Sequence, residues 1–179
     1  MAVLAGVVEA EDKVIRSIYS MINITPSISV TLYLTADEFS LDDVTRKMGI
    51  LPTQNRVKDS FPPQSIAAGI AQTGWVLEIK EEHCLAVSIL FERMIDMLSG
   101  KEEIINNVQN DYGIEASFSV SIHMHEAANP EIWLPQEAVK FAASINASIG
   151  FDIYSYCSCA DNDEIILTDD GYFKIGKGS

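Results

Sequence analysis

The amino-acid sequence predicts an α+β domain of two layers. Helices cover one face of a mixed or antiparallel sheet of four to five strands, and a β-hairpin forms the C-terminal end. Three observations point there. Apolar residues recur at every second position in several short runs, as in strands with one buried and one solvated face. Between these runs lie segments whose apolar residues recur at helical spacing. A doubly wound parallel sheet would bury both faces of its strands, so the alternation argues for a sheet covered on one side only. The 179 residues, 47% apolar and 21% charged, suit one domain over 1–179 with a substantial core.

Taken in order, residues 12–22 place Val14, Ile15, Ile18, Tyr19 and Ile22 on one helical face, and Pro26 would stop that helix. From Ile28 to Ala36, Ile28, Val30, Leu32 and Leu34 alternate with Ser29, Thr31, Tyr33 and Thr35, which reads as a half-buried strand. Ser40 precedes Leu41, Asp42 and Asp43, with acids where the helix dipole favours them, and Gly49 closes a short helix over 40–48. Residues 50–73 hold Pro52, Pro62, Pro63 and Gly69 without a sustained period, and read as a long irregular connection. Trp75, Leu77 and Ile79 alternate with Val76, Glu78 and Lys80 in a second strand. A helix follows from Leu85 to Leu98 on Leu90, Met94 and Leu98. Ser99 and Glu102 have the spacing of a capping box for a further helix to Asn110, ended by Gly113.

The clearest strand sets Phe118, Val120, Ile122 and Met124 against Ser117, Ser119, Ser121, His123 and His125. Pro135 then takes an early helical position, with Ala138, Phe141, Ala142 and Ile145 as a core stripe. A fourth strand, 149–156, points Phe151 and Ile153 inward and Asp152, Tyr154 and Tyr156 outward. Finally, 163–176 reads as a hairpin about Asp169-Asp170-Gly171, since Asp-Gly supplies the positive φ of a tight turn.

The run Phe39-Ser-Leu-Asp-Asp-Val-Thr-Arg-Lys-Met-Gly-Ile-Leu-Pro-Thr53 resembles the region after the first strand in bacterial proteins classed as domain of unknown function 4279. Trp75, Tyr112-Gly113, Leu134-Pro135 and Phe151-Asp-Ile-Tyr154 fit the same pattern, so the resemblance spans about 28–156. It implies a small bacterial protein and carries over no catalytic residue. Its motif positions look structural: a capped helix, a turn and a core aromatic.

Charge is distributed unevenly. From Glu102 to Asp170 there are thirteen acids and one base, Lys140, so this stretch carries net −12 of the chain's −14. One-sided charge repels itself but steers and accelerates association with a basic partner, and it disfavours nucleic acid. No apolar run is long enough to span a bilayer, and Ala2 to Val8 lacks the basic flank of a secretory signal, so the expected location is cytoplasmic. Cys84, Cys157 and Cys159 form an odd set with neither zinc-finger nor Cys-x-x-Cys spacing, and are expected to be reduced.

Chemistry-bearing constellations are sparse. His123 and His125 share one strand face and could supply two ligands to a metal, with Asp152, Glu126 or Cys157 as candidates for a third; serines and histidines on a solvated face are the plainer reading. Asp161, Asp163, Glu164, Asp169 and Asp170 depart from the helix-loop-helix calcium spacing, because Ile165 and Ile166 stand at positions five and six. No serine nucleophile motif or glycine-rich phosphate loop is present. The expectation is therefore a non-enzymatic interaction protein without a cofactor, most concretely an immunity protein that binds a basic, nuclease-type toxin. Asp152, Asp161, Asp163, Glu164, Asp169 and Asp170 would imitate phosphates, and Tyr33, Tyr154 and Tyr156 would anchor. The alternatives are a small metal-dependent enzyme or regulator using His123 and His125, and a housekeeping module whose acidity serves solubility.

Overall fold

A computed structural model describes residues 26–81, 83–125, 129–156, 163–167 and 173–177. The helix expected at 12–22 lies outside them. The central strand is β1 (Ser27–Ala36), whose alternation leaves Ile28, Val30, Leu32 and Leu34 fully buried. It pairs antiparallel with β3 (Thr73–Glu81) and β4 (Glu115–His125), so that Leu32 stands opposite both Leu77 and Phe118. The short β2 (Gln54–Arg56) adds to the outer edge of β3, and β5 (Ser148–Tyr156) runs parallel to β4. The result is a five-stranded mixed sheet, β2-β3-β1-β4-β5. A separate antiparallel pair, β6 (Asp163–Leu167) and β7 (Phe173–Lys177), forms the C-terminal hairpin with Ile165 opposite Ile175. Its expected turn residues, Asp169 and Asp170, lie outside the described residues.

Helices cover one face. In α1 (Leu41–Met48), the Ser40 side chain accepts from the Asp43 N–H at 3.2 Å, and Gly49, at φ 64°, donates its N–H to the Thr45 carbonyl. These are the N-cap and left-handed C-cap expected from sequence. A one-turn α2 (Pro63–Ala67) follows β2. The main layer is α3 (Val87–Leu98), α4 (Glu102–Tyr112) and α5 (Gln136–Ser144). Their stripes, led by Leu90, Phe91, Met94, Ile105, Val108 and Phe141, bury themselves against the apolar sheet face. The rings of Phe91 and Phe118 meet at 5.4 Å, tilted, the arrangement aromatic pairs prefer. Trp75 is fully buried on β3 and donates its indole N–H to the Thr45 hydroxyl of α1 at 3.0 Å. The motif threonine thus ties the first helix to the sheet.

Four expectations are corrected. The connection over 50–73 is partly structured: β2, a 3₁₀ turn at Lys58–Ser60 and α2 lie within it. A three-residue edge strand has no period to read. The capping box of Ser99 and Glu102 does not form, because Ser99 ends α3 in extended backbone and Lys101 sits at the α4 N-terminus without a side-chain bond. Pro135 precedes its helix at the N-cap, at ψ 151°, rather than inside it. Phe151 and Ile153 do share the helix-side face, opposite Val120 and Ile122, yet they are 40% and 49% exposed. The helix layer leaves these two side chains partly uncovered. Among the described residues no helix is long and apolar enough to cross a membrane.

Candidate functional site: the open sheet face

The face turned away from the helices has a simple plan. Its central strands carry small hydroxyl side chains, Ser29 and Thr31 on β1 and Ser117, Ser119 and Ser121 on β4. Its flanking strands add larger ones, Val76, Glu78 and Lys80 on β3 and Asp152, Tyr154 and Tyr156 on β5. Ser29 and Thr31 are buried, although none of the described helices packs on this face. The result is a shallow polar trough with an aromatic group at each end.

At the β4–β5 end, parallel pairing sets His123 opposite Tyr154 and His125 opposite Tyr156. The His123 ring stacks on Tyr154 with centroids 4.7 Å apart and planes 15° from parallel, and on Tyr156 at 5.9 Å and 7°. Nδ1 of His123 and the Tyr156 hydroxyl share a hydrogen bond of 3.0 Å, whose donor depends on the imidazole tautomer. Residues two apart on a strand share a face, which is why Tyr154 and Tyr156 rise together beside one imidazole. Both tyrosines remain 47% exposed. Asp152 lies on the same face, and the Ser119 hydroxyl donates to its Oδ2 at 3.2 Å. That bond orients a carboxylate two residues from the aromatic stack.

At the opposite end, Tyr33 on β1 faces Val76 of β3 and Ser117 of β4. Arg56 of β2 lies over the Tyr33 ring at 5.3 Å, and its Nε and Nη2 both donate to Gln54 Oε1, at 3.3 and 3.2 Å. A cleft of about 380 Å³ opens here, lined in part by Thr31, Tyr33, Arg56 and Glu78.

The sequence-derived candidates divide accordingly. Asp152, Tyr154 and Tyr156 come together as expected, joined by His123. Tyr33 does not. It is level with Ser148 through Ser117, whereas Tyr154 is six residues further along β5, so about 20 Å of strand separates them. Asp163 and Glu164 belong to β6 of the hairpin; Asp161, Asp169 and Asp170 lie outside the described residues, as do Cys157, Cys159 and Glu126. Cys84 is a half-buried free thiol that donates to the Ala86 carbonyl at 3.4 Å. Among the described residues no three His, Cys, Asp or Glu side chains are grouped to hold a metal. Ser119, Gln54, Arg56 and Glu78 do not stand out in the sequence as site residues. Ser119 is legible there as part of the polar face, but Arg56 carries no signal, because β2 is too short for one.

A third feature belongs to the helix layer. Leu85, Ile89, Ile132, Trp133 and Val139 are all about half exposed, and a parallel bridge between Ala86 and Glu131 joins two of the segments that carry them.

Residues 17–156 match the family model described as domain of unknown function (DUF4279). The chain belongs to that family. No curated protein matches the chain, and no solved structure does.

Proposed function

We propose that this member of the DUF4279 family is a binding protein that engages a basic protein partner through the β4–β5 end of its open sheet face. Most concretely, it is an immunity protein that neutralises a nuclease-type toxin. The observation that carries this reading is the exposed Tyr154–His123–Tyr156 stack beside the oriented carboxylate of Asp152. Binding energy in interfaces concentrates in a few aromatic and charged residues, and rings already stacked lose little freedom on docking. A lysine or arginine of the partner gains from the tyrosine faces as well as from the carboxylate. The net −12 of residues 102–170 adds long-range steering toward a basic surface.

The test asks first whether a secreted toxin gene lies beside its own, and then co-expresses that toxin domain with the chain and titrates it directly. The wild-type chain protects cells, and binding weakens chiefly through slower association as salt rises. Tyr154→Ala and Tyr156→Ala each weaken binding by about thirtyfold or more, the loss of an interface hot spot. Asp152→Lys abolishes protection. Unchanged binding in all three variants refutes this placement of the interface, and no binding by the wild type refutes the function.

A further inference from the structure

The Tyr33 end of the trough is separate from the proposed interface and has a chemistry of its own. We infer that its cleft binds a short zwitterion, a peptide of two or three residues, with the carboxylate on Arg56 and the amino group on Glu78.

Arg56 is prepared for an anion. Tyr33 supports its guanidinium from one side and Gln54 takes two of its five N–H donors. The planar fork is thereby held in place with donors to spare for a carboxylate. Arg46, Lys47, Lys58 and Arg93 each have a carboxylate partner, whereas Arg56 forms no ion pair among the described residues. Glu78 lines the same cleft, is exposed and likewise forms none.

Beside Glu78, on β1, lies an unused hydroxyl. Thr31 is 4% exposed and lines the cleft, yet its side chain makes no hydrogen bond among the described residues. No fully buried side-chain polar atom among those residues lacks a partner, so this hydroxyl must keep its residual exposure toward the cleft. A hydroxyl open to the cleft can donate to or accept from the peptide group of a ligand. The buried Val76 side chain adds an apolar patch to the lining.

The spacing selects the length. The Arg56 backbone is level with Gly74, but its guanidinium lies over Tyr33, which is level with Val76, two residues or about 7 Å along β3 from Glu78. A peptide of two to three residues spans about 7–10 Å, which suits two long side chains reaching into one cleft. A free α-amino acid carries both charges on one carbon, a shorter span than a peptide of two or three residues. The volume of about 380 Å³ lies at the small end of the range for small-ligand sites.

The experiment is an NMR titration of the full chain, following backbone amide shifts, with Ala-Ala and Ala-Ala-Ala as probes. N-acetyl-Ala-Ala, Ala-Ala-amide and free alanine are the controls. The peptides are expected to give saturable shifts at Thr31, Tyr33, Gln54 and Val76, while alanine does not. Capping either terminus, or introducing Arg56→Gln or Glu78→Gln, weakens binding about tenfold, the scale of one charge-assisted hydrogen bond. Glu78→Gln loses its effect against the acetylated probe, and Arg56→Gln against the amidated one, because each pair shares one contact. The amide spectrum also reports whether each variant is folded. Shifts that rise without saturation, that centre on Tyr154 and Tyr156, or that are indifferent to Arg56→Gln overturn the inference.

Discussion

Thr45→Val offers the most direct test of how the family motif holds this fold together. The substitution keeps the shape of the side chain and removes the acceptor of the Trp75 indole N–H, a bond of 3.0 Å joining α1 to β3. Trp75 is fully buried, so its N–H has no alternative partner, while Thr45 itself is half-buried. Leaving a buried donor unsatisfied costs about 1–3 kcal/mol, and the partial exposure of Thr45 places the expected loss in the lower part, about 1–2 kcal/mol. Trp75→Phe removes the donor together with part of a buried ring, and loses about 2–4 kcal/mol through the cavity it leaves. The double variant should lose only slightly more than Trp75→Phe alone, since no donor remains to be orphaned. The coupling between the two sites is then about 1 kcal/mol. Urea unfolding measures each quantity, with the slope against denaturant held as a check that the unfolded state has not changed. Tryptophan emission serves the Thr45→Val comparison, since of the two tryptophans Trp133 is 55% exposed and the buried signal belongs to Trp75; far-ultraviolet circular dichroism serves the variants that lack it. A Thr45→Val loss below about 0.3 kcal/mol, or strict additivity in the double variant, would refute the pairing.

Other expectations concern the cap, the edge and the ion pairs. Gly49→Ala lowers stability by about 1 kcal/mol in thermal unfolding, because φ 64° is strained for any side chain with a Cβ; the nearest neighbour, Lys101 Nζ at 3.7 Å, leaves room for the methyl itself. Ile153→Lys on the edge strand stays within about 0.5 kcal/mol of the wild type by urea unfolding, whereas Ile122→Lys, its fully buried neighbour on β4, prevents folding. The hydrogen bond that Lys47 donates to Asp111 holds its ammonium above its ordinary value near 10.5, aided by the charges of Asp111 and Tyr112 against some loss of solvent. A raised lysine stabilises fully below its unfolded value and stops doing so as pH climbs through its folded one. The difference in Tm between the wild type and Lys47→Met should therefore be constant to about pH 10 and shrink above it.

Much of the architecture is legible in the order of the amino acids. The alternation from Ile28 to Ala36 and from Ser117 to Met124 marks two strands with a buried and a polar face, because period two maps directly onto the two sides of a sheet. Ser40 and Gly49 bound the first helix correctly, since caps are local chemistry. Signals that depend on distant neighbours are not legible in the same way. The Ser99–Glu102 spacing suggests a capping box, yet the chain turns out of α3 there in a geometry that forbids it. β2 exists because β3 offers an edge at Val76 and Gly74, and three residues cannot announce that themselves. Phe151 and Ile153 take the helix-side face that their alternation implies, but their exposure depends on how far the helix layer extends.

The amino-acid sequence by itself determined the class of fold, the identity of most core residues and the sign of the charge over residues 102–170. Each of these follows from composition or from a period along one segment. Tertiary structure alone decided the strand order, with β1 at the centre and β5 parallel at one edge. It also decided which open-face residues meet. Tyr154 and Tyr156 gather around His123, while Tyr33, expected beside them, pairs instead with Arg56 at the far end of the trough. The physical reason is register. Periodicity tells a side chain which face it occupies, and only the hydrogen-bonded alignment of one strand against the next tells it who stands beside it.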